Sequence, residues 1–323
     1  MGLAQLPYPE GRTARDRWIL TLRPPKERLD PRRAYAVCAE RETEAPGRET
    51  AVATIFLTNR ECPWRCLMCD LWRNTLDATV PEGAIAAQVR AALAELPPAR
   101  WIKLYNAGSF FDSKAIPPEE WREIADLCAP FERVIVECHP ALVGDGILRF
   151  RDLLRGRLEV AMGLETAHPE ALARLNKGMS LADFERAADF LRRNEIDLRA
   201  FLLVRPPFLG EEEGIEWACR SLDLAFDCSA RCAVLIPTRG GNGALEALER
   251  AGHFAPPRLL SLERALEYGV ALKRGIALAD LWDLSRFVRC AACSDARTAR
   301  LSEMNLRQEV VPAVACAECG GAW

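Results

Sequence analysis

Six times in succession between residues 51 and 251, a short apolar run is followed by an amphipathic stretch of helical period. No other feature of this chain restricts its fold as tightly. AVATIFLTN (51–59) precedes PEGAIAAQVRAALAEL (81–96), which carries Pro81 in its first turn. RWIKLYN (100–106) precedes PPEEWREIADLC (117–128), and ERVIVEC (132–138) precedes ALVGDGILRFRDLL. RLEVAMGLE precedes SLADFERAADFLRRN, IDLRAFLLV (196–204) precedes EEEGIEWACRSLDLAF, and RCAVLIP (231–237) precedes GALEALERA. Strands that are apolar at nearly every position belong in a parallel sheet covered by helices. Six such units predict an α/β fold, a partial (β/α)6 TIM-like barrel rather than a closed ring of eight. In sheets of this kind the working residues gather at the C-terminal ends of the strands.

The alternation divides the chain. Residues 1–50, rich in Pro, Arg and Glu without a clear period, are expected to form an extension wrapped on a core of residues 51–240. Residues 241–285 read as a helical extension containing PPRLLSLERALEYGVALKRG as one amphipathic helix, and 286–323 as a small module with two C-x₂-C pairs. No apolar run reaches the roughly 18 residues of a membrane span, and MGLAQLPYPEGRTARDRW lacks the apolar stretch of a signal peptide. A cytoplasmic protein without membrane contact is therefore expected. Thirteen cysteines in a chain this long and rich in helix formers suggest metal or cluster binding rather than a disulfide scaffold. The formal net charge of −3 gives no global nucleic-acid footprint. The locally basic start (Arg12, Arg15, Arg17, Arg23, Lys26, Arg28, Arg32, Arg33) reads first as a solvated arm.

Just after the first strand stands TNRECPWRCLMCDLW, which places Cys62, Cys66 and Cys69 in a C-x₃-C-x₂-C array. Thiolates are soft ligands that select zinc or iron–sulfur clusters. A structural zinc wants four closed ligands. Three thiolates satisfy three irons of a 4Fe–4S cubane and leave the fourth open to a substrate or cofactor.

With this array in the loop after the first of six βα strands, the sequence resembles the radical SAM superfamily over roughly residues 51–240. The resemblance implies a 4Fe–4S cluster on Cys62, Cys66 and Cys69. It implies S-adenosylmethionine on the open iron and reductive cleavage to a 5′-deoxyadenosyl radical. Met68 stands where many members carry an aromatic residue, and a polarizable methionine can pack on adenine. The second strand ends YNAGSFFD instead of the Gly-Gly-Glu of many members, so Asn106, Gly108 and Ser109 become the candidates for holding the methionine amino group. The third strand ends ECHP, where Glu137 and His139 share one face; Glu137 is a candidate for the ribose hydroxyls. Glu165, ending an apolar strand where an unpaired carboxylate is costly, and His139 are the candidate catalytic groups. Lys177 is a candidate for the cofactor carboxylate. Arg205, held extended before two prolines, is a candidate for an anionic group.

The run NRECPWRCLMCDLWRNT, with YNAGSFFD, ECHP, GLET and NKGM, is similar to a narrower group, the radical SAM subunit of archaeosine synthase and its uncharacterised relatives. Members of known role act on tRNA after a partner enzyme has attached lysine to a 7-cyano-7-deazaguanine base. They cleave the lysine Cε–N bond. That resemblance implies tRNA, a tRNA-modifying partner enzyme and an electron donor such as ferredoxin or flavodoxin. Cys290, Cys293, Cys316 and Cys319 suit a tetrahedral, ribbon-like zinc site or an auxiliary Fe–S cluster. Arg297, Arg300, Asn305, Arg307 and Gln308 between the pairs are candidates for phosphate or base contacts. Two other readings stay open: a radical SAM enzyme on a small molecule or peptide with that auxiliary cluster, and a non-catalytic zinc-binding RNA-interaction protein.

Overall fold

The structure, a computed structural model, describes residues 8–319. The chain enters through helix α1 (Arg12–Leu22) and turns through a hairpin of β1 (Ala36–Ala45) and β2 (Arg48–Leu57). Two short strands, β3 (Asn59–Arg60) and β4 (Thr75–Leu76), pair with each other and clasp the cysteine loop between them. The alternation follows as α2 (Ala84–Glu95), β5 (Trp101–Asn106), α3 (Trp121–Leu127), β6 (Arg133–Glu137), α4 (Asp145–Arg151) and β7 (Arg157–Glu165). It continues through α5 (Pro169–Arg174), α6 (Leu181–Arg193), β8 (Asp197–Val204), α7 (Glu211–Asp227), β9 (Cys232–Pro237) and α8 (Ala244–Arg250). The described chain closes with α9 (Leu259–Leu272), β10 (Ile276–Ala279) and α10 (Ala291–Arg307).

The main sheet runs β1-β2-β5-β6-β7-β8-β9-β10, parallel throughout except for the β1–β2 hairpin. It is a parallel-rich, nearly closed barrel with helices outside. The six expected strands are β2 and β5 to β9, and two more extend the sheet. β1 escapes a hydrophobic reading because carboxylates stand at two of its inward positions, Glu40 and Glu42, which pair with Lys103 inside the barrel. β10 follows α9, which ends at Leu272 with Lys273 at φ 52; the single helix expected over 256–275 stops short of Gly275.

Charge fills the N-terminal half of the barrel. Arg199 bridges Glu42 and Glu159, Arg133 joins Glu159 to Asp197, and Arg231 adds a third guanidinium on Glu159 at 2.8 Å. Such a cluster is tolerable inside a protein only because each charge is matched. Burial opposes ionisation of Glu42 and Glu159, but Arg199 and its cationic neighbours outweigh it and hold both carboxyls well below the usual range. This plug leaves the opposite end, where the strands finish, as the open end.

Helix α10 covers the gap between the two edges of the sheet. The Asn305 amide exchanges hydrogen bonds of 2.7 and 2.9 Å with the Ala279 backbone, and the Gln308 amide does the same with Ala277 at 2.9 and 2.8 Å. On the other side Thr43 Oγ1 donates to Asn305 O and Gly47 N to Leu306 O. Side-chain amides thus stand in for a ninth strand along an otherwise bare edge. This corrects the expectation for α10. Asn305 and Gln308 are committed to the barrel, and Arg297 and Arg300 are buried on Glu263, so none of the four faces a phosphate. Arg307 alone is exposed, paired one turn back with Glu303. The four cysteines also form no free-standing ribbon: Cys290 caps the N-terminus of the 17-residue α10, Cys293 lies in its first turn, and the rest of the helix separates them from Cys316 and Cys319.

Candidate functional site

The cysteine loop leaves the C-terminal end of β2, and side chains from elsewhere hold its carbonyls. Asn176 Nδ2 donates to Arg65 O at 2.8 Å, and Asn242 Nδ2 donates to Leu67 O at 2.8 Å and to Cys69 O at 3.3 Å. Trp72 Nε1 donates to Cys69 O, and Leu67 N to Leu175 O. Glu61, just before Cys62, gathers Arg23, Lys26 and Arg65, with Arg23 lying 4.5 Å over the Trp72 ring. Gly108, at φ +119, packs against Cys62, where a β-carbon would stand 2.9 Å from Cys62 Cβ. The loop is therefore fixed by its own chain.

All three thiols are free, and burial pushes each of them up to about 12. They do not close to within 4.8 Å of one another as the ligands of one ion would; among the described residues only the C-terminal cysteines do. Wider spacing suits thiolates that each hold a different iron of one cluster. A buried amide with no partner lies at the end of the adjacent strand β5. Both Oδ1 and Nδ2 of Asn106 lack a hydrogen bond although the residue is 1% exposed. An unpaired buried amide costs about 1–3 kcal/mol, and both a donor and an acceptor are left over at this one, the groups that an amino acid moiety would complement.

Glu137 ends β6, and its Oε2 accepts from Asn106 N at 3.0 Å. The residue is half-buried, and burial of its carboxyl among protein atoms pushes it up to about 8 against the opposing pull of the Asn106 N–H and Lys177. Glu165 ends β7 at a bulge with φ 67, a conformation that costs a non-glycine residue of order 1–3 kcal/mol. The turn aims its carboxylate at Lys177 Nζ, 2.5 Å away, and both residues are buried. Lys177 Nζ also donates to Gly163 O. A side chain on Gly163 would run into both Glu165 and Lys177. Lys177 and Glu165 both act electrostatically on Cys66, which brings the ion pair and the cysteine loop into one site.

His139 has no free nitrogen. Its Nδ1 accepts from Ala141 N at 3.1 Å, so Nε2 carries the proton and donates to Lys177 O at 3.1 Å. Its ring lies flat on Trp64, centroids 3.7 Å apart, and burial pushes the imidazole down to about 4. The geometry makes it a brace for the backbone of Lys177. Three other expected residues have partners of their own within the protein. The Ser109 hydroxyl accepts from Phe111 N at 3.2 Å, and Met68 packs with Leu67 in the apolar cluster of Tyr8, Ile19 and Leu245. Arg205, at φ 53, turns to Glu211 and the Pro256 carbonyl. Sequence reasoning missed Asn176, Asn242 and Trp64. The asparagines sit in glycine-containing loops, NKGM after α5 and GNGA after β9, which is their only signal. Two shallow concavities lie elsewhere, one of about 530 Å³ between α7 and α9 and one of about 440 Å³ at the plugged end; neither includes a loop thiol.

The C-terminal cysteines form a second site. Cys290 Sγ and Cys316 Sγ are 3.8 Å apart, as are Cys293 Sγ and Cys319 Sγ, and all four sulfurs lie within 4.8 Å of one another. A tetrahedron with Zn–S bonds of about 2.3 Å has edges of about 3.8 Å. Arg297 Nε donates to Cys293 Sγ at 3.3 Å, the outer hydrogen bond that metal thiolates commonly accept.

No protein-family model matches the chain. In fold it is similar to archaeal Elp3 of Methanocaldococcus infernus, at TM-score 0.52 and 16% identity over 68% of this chain and 59% of that one. It is similar to methylornithine synthase at TM-score 0.52 and 11% identity, over 70% and 64% of the two chains. In sequence it is 26% identical over 237 residues to archaeosine synthase subunit beta of Methanosarcina acetivorans, covering 70% of this chain and 68% of the relative. The chain shares the barrel fold of the two solved proteins. A second relative, archaeosine synthase subunit beta of Thermococcus kodakarensis, is 27% identical over 210 residues, 62% of this chain and 65% of that one. Among the described residues no helix is long and apolar enough to cross a membrane.

Proposed function

We propose that this chain is a radical SAM enzyme that acts on a modified tRNA base, cleaving the C–N bond of a lysine adduct, in concert with a tRNA-modifying partner enzyme. The observation that carries the radical chemistry is the shared site: three loop thiols, the unpartnered Asn106 amide and the Glu165–Lys177 pair at one end of the barrel. The tRNA substrate and the partner enzyme rest on the likeness to archaeosine synthase subunit beta. When bound, a 4Fe–4S cluster with S-adenosylmethionine supplies one-electron reductive cleavage of the sulfonium, fed by a donor of the ferredoxin or flavodoxin class.

The chain's own residues prepare the site. Cys62, Cys66 and Cys69 would hold the cluster on a loop fixed by Asn176 and Asn242. Asn106 would take the amino acid portion of the cofactor. Glu137 carries a proton at neutral pH and can donate it in a hydrogen bond. Lys177, braced through its carbonyl by His139, presents a cation to a carboxylate, with Glu165 balancing its charge. We assign zinc to the C-terminal cysteines, because sulfurs this close fit one ion and not the four separate corners of a cubane. The test is S-adenosylmethionine cleavage with tRNA bearing the lysine-modified deazaguanine and with unmodified tRNA. Stimulation by the first alone supports the reading. Stimulation by a small metabolite or peptide instead replaces it.

A further inference from the structure

Trp282 is the most exposed large hydrophobic side chain in the described structure, at 67%. It stands beyond the C-terminal end of β10, on the same end of the barrel as the cysteine loop. Its backbone is fixed: Trp282 N donates to Asp280 Oδ1 at 2.9 Å, and Arg239 Nη1 donates to Trp282 O at 3.2 Å. Asp283, which follows, has φ 56. A large apolar ring is thus held out into water on a rigid turn, an arrangement that burial energy alone opposes.

Arginines are tied to the neighbouring turns. Arg286 pairs with Asp283 and donates Nη1 to Gly240 O, Arg73 pairs with Glu27 at 3.5 Å and donates Nη1 to Gly241 O, and Arg239 is tied to Asp280. Arg286 and Arg73 remain 49% and 38% exposed, with donors to spare, and Arg289 is exposed without an ion pair among the described residues. The turn that seats these arginines also carries Asn242, whose amide holds Leu67 O and Cys69 O. The arginine-bearing turn beside Trp282 is therefore joined directly to the cysteine loop. Only four other large apolar side chains are exposed among the described residues, Leu20, Leu71, Tyr268 and Val310, too few to make a broad apolar face around Trp282. A protein interface needs such a face. One aromatic ring among cations is instead what an unpaired nucleobase and its flanking phosphates require.

We propose that Trp282 is a stacking platform for an unpaired base of the RNA substrate, with Arg73, Arg286 and Arg289 receiving the adjacent phosphates. This rests on the tRNA reading above and adds the surface that the RNA meets. The experiment measures fluorescence anisotropy of labelled tRNA, and of a short unstructured oligoribonucleotide, against Trp282→Ala, Trp282→Leu and Trp282→Phe. Iron content and melting temperature serve as folding controls. The expected result is binding weakened between about fivefold and a hundredfold in the Ala and Leu variants and retained in Phe. Trp282-dependent binding of the oligoribonucleotide without binding of tRNA keeps the platform and removes the tRNA reading. Wild-type affinity in Trp282→Ala, equal affinity of the Leu and Phe variants, or no binding of either RNA by the unaltered protein overturns the platform. So does a loss confined to a protein partner.

Discussion

Gly108 has no room for a side chain because Cys62 fills the space: a β-carbon would stand 2.9 Å from Cys62 Cβ and 3.3 Å from its sulfur. With φ +119 as well, Gly108→Ala strains the backbone and displaces the first cluster ligand together. The expected outcome is a folded protein that binds less than half the iron of wild type on anaerobic reconstitution. Iron and sulfide analysis beside circular dichroism checks it; full iron content contradicts the close packing.

The Glu165–Lys177 pair is buried, with side-chain exposures of 10% and 8%. Removing one partner leaves a charge with no compensation, at a cost of about 3–5 kcal/mol. Glu165→Leu and Lys177→Met should each destabilise by that amount in chemical denaturation. The double variant should recover most of the loss. A single variant costing under about 1 kcal/mol contradicts a desolvated pair.

Glu137 gives a pH signature. Burial raises its folded carboxyl to about 8, well above its ordinary value. The folded state therefore holds a proton that the unfolded chain gives up. Its contribution to stability is complete below the unfolded pKa of about 4.5 and falls as pH rises towards 8, by up to about 1.4 kcal/mol per pH unit. Glu137→Gln should remove this decline, so denaturation midpoints of the two proteins should diverge between pH 5 and pH 8. Parallel curves across that window contradict a buried, protonated Glu137.

How much of this was legible beforehand follows from what each residue contacts. The six central strands were legible because apolar runs of that length have one economical home, a covered parallel sheet. The strand β1 was not, since Glu40 and Glu42 pair with Lys103, a partner more than 60 residues away that no local pattern announces. The spacing of Cys62, Cys66 and Cys69 marked the cysteine loop, but not the two asparagines that fix it. Sequence placed Glu165 and Lys177 at the mouth and left their pairing unseen. For α10, residues that are basic and polar in sequence were expected at a surface, yet Arg297, Arg300, Asn305 and Gln308 are spent on buried partners.

The tail depends on two different supports. Leu301 and Met304 are buried in the core, and Arg297 and Arg300 hold Glu263, so α10 stays docked without metal. Chelation of the C-terminal site should therefore free only residues beyond about 309. Limited proteolysis with mass spectrometry should locate the new cuts there. Cuts inside Ala291–Arg307 would instead make the metal the main support of the helix.

The central claim is that the Cys62–Cys66–Cys69 loop drives reductive cleavage of S-adenosylmethionine. The direct measurement is anaerobic 5′-deoxyadenosine formation by the reconstituted, reduced protein and by its Cys62→Ala, Cys66→Ala, Cys69→Ala variant. The account predicts product from the first and none from the second, while the variant keeps one zinc and its fold. Product from the triple variant, or none from a wild-type protein carrying about four irons, would contradict it.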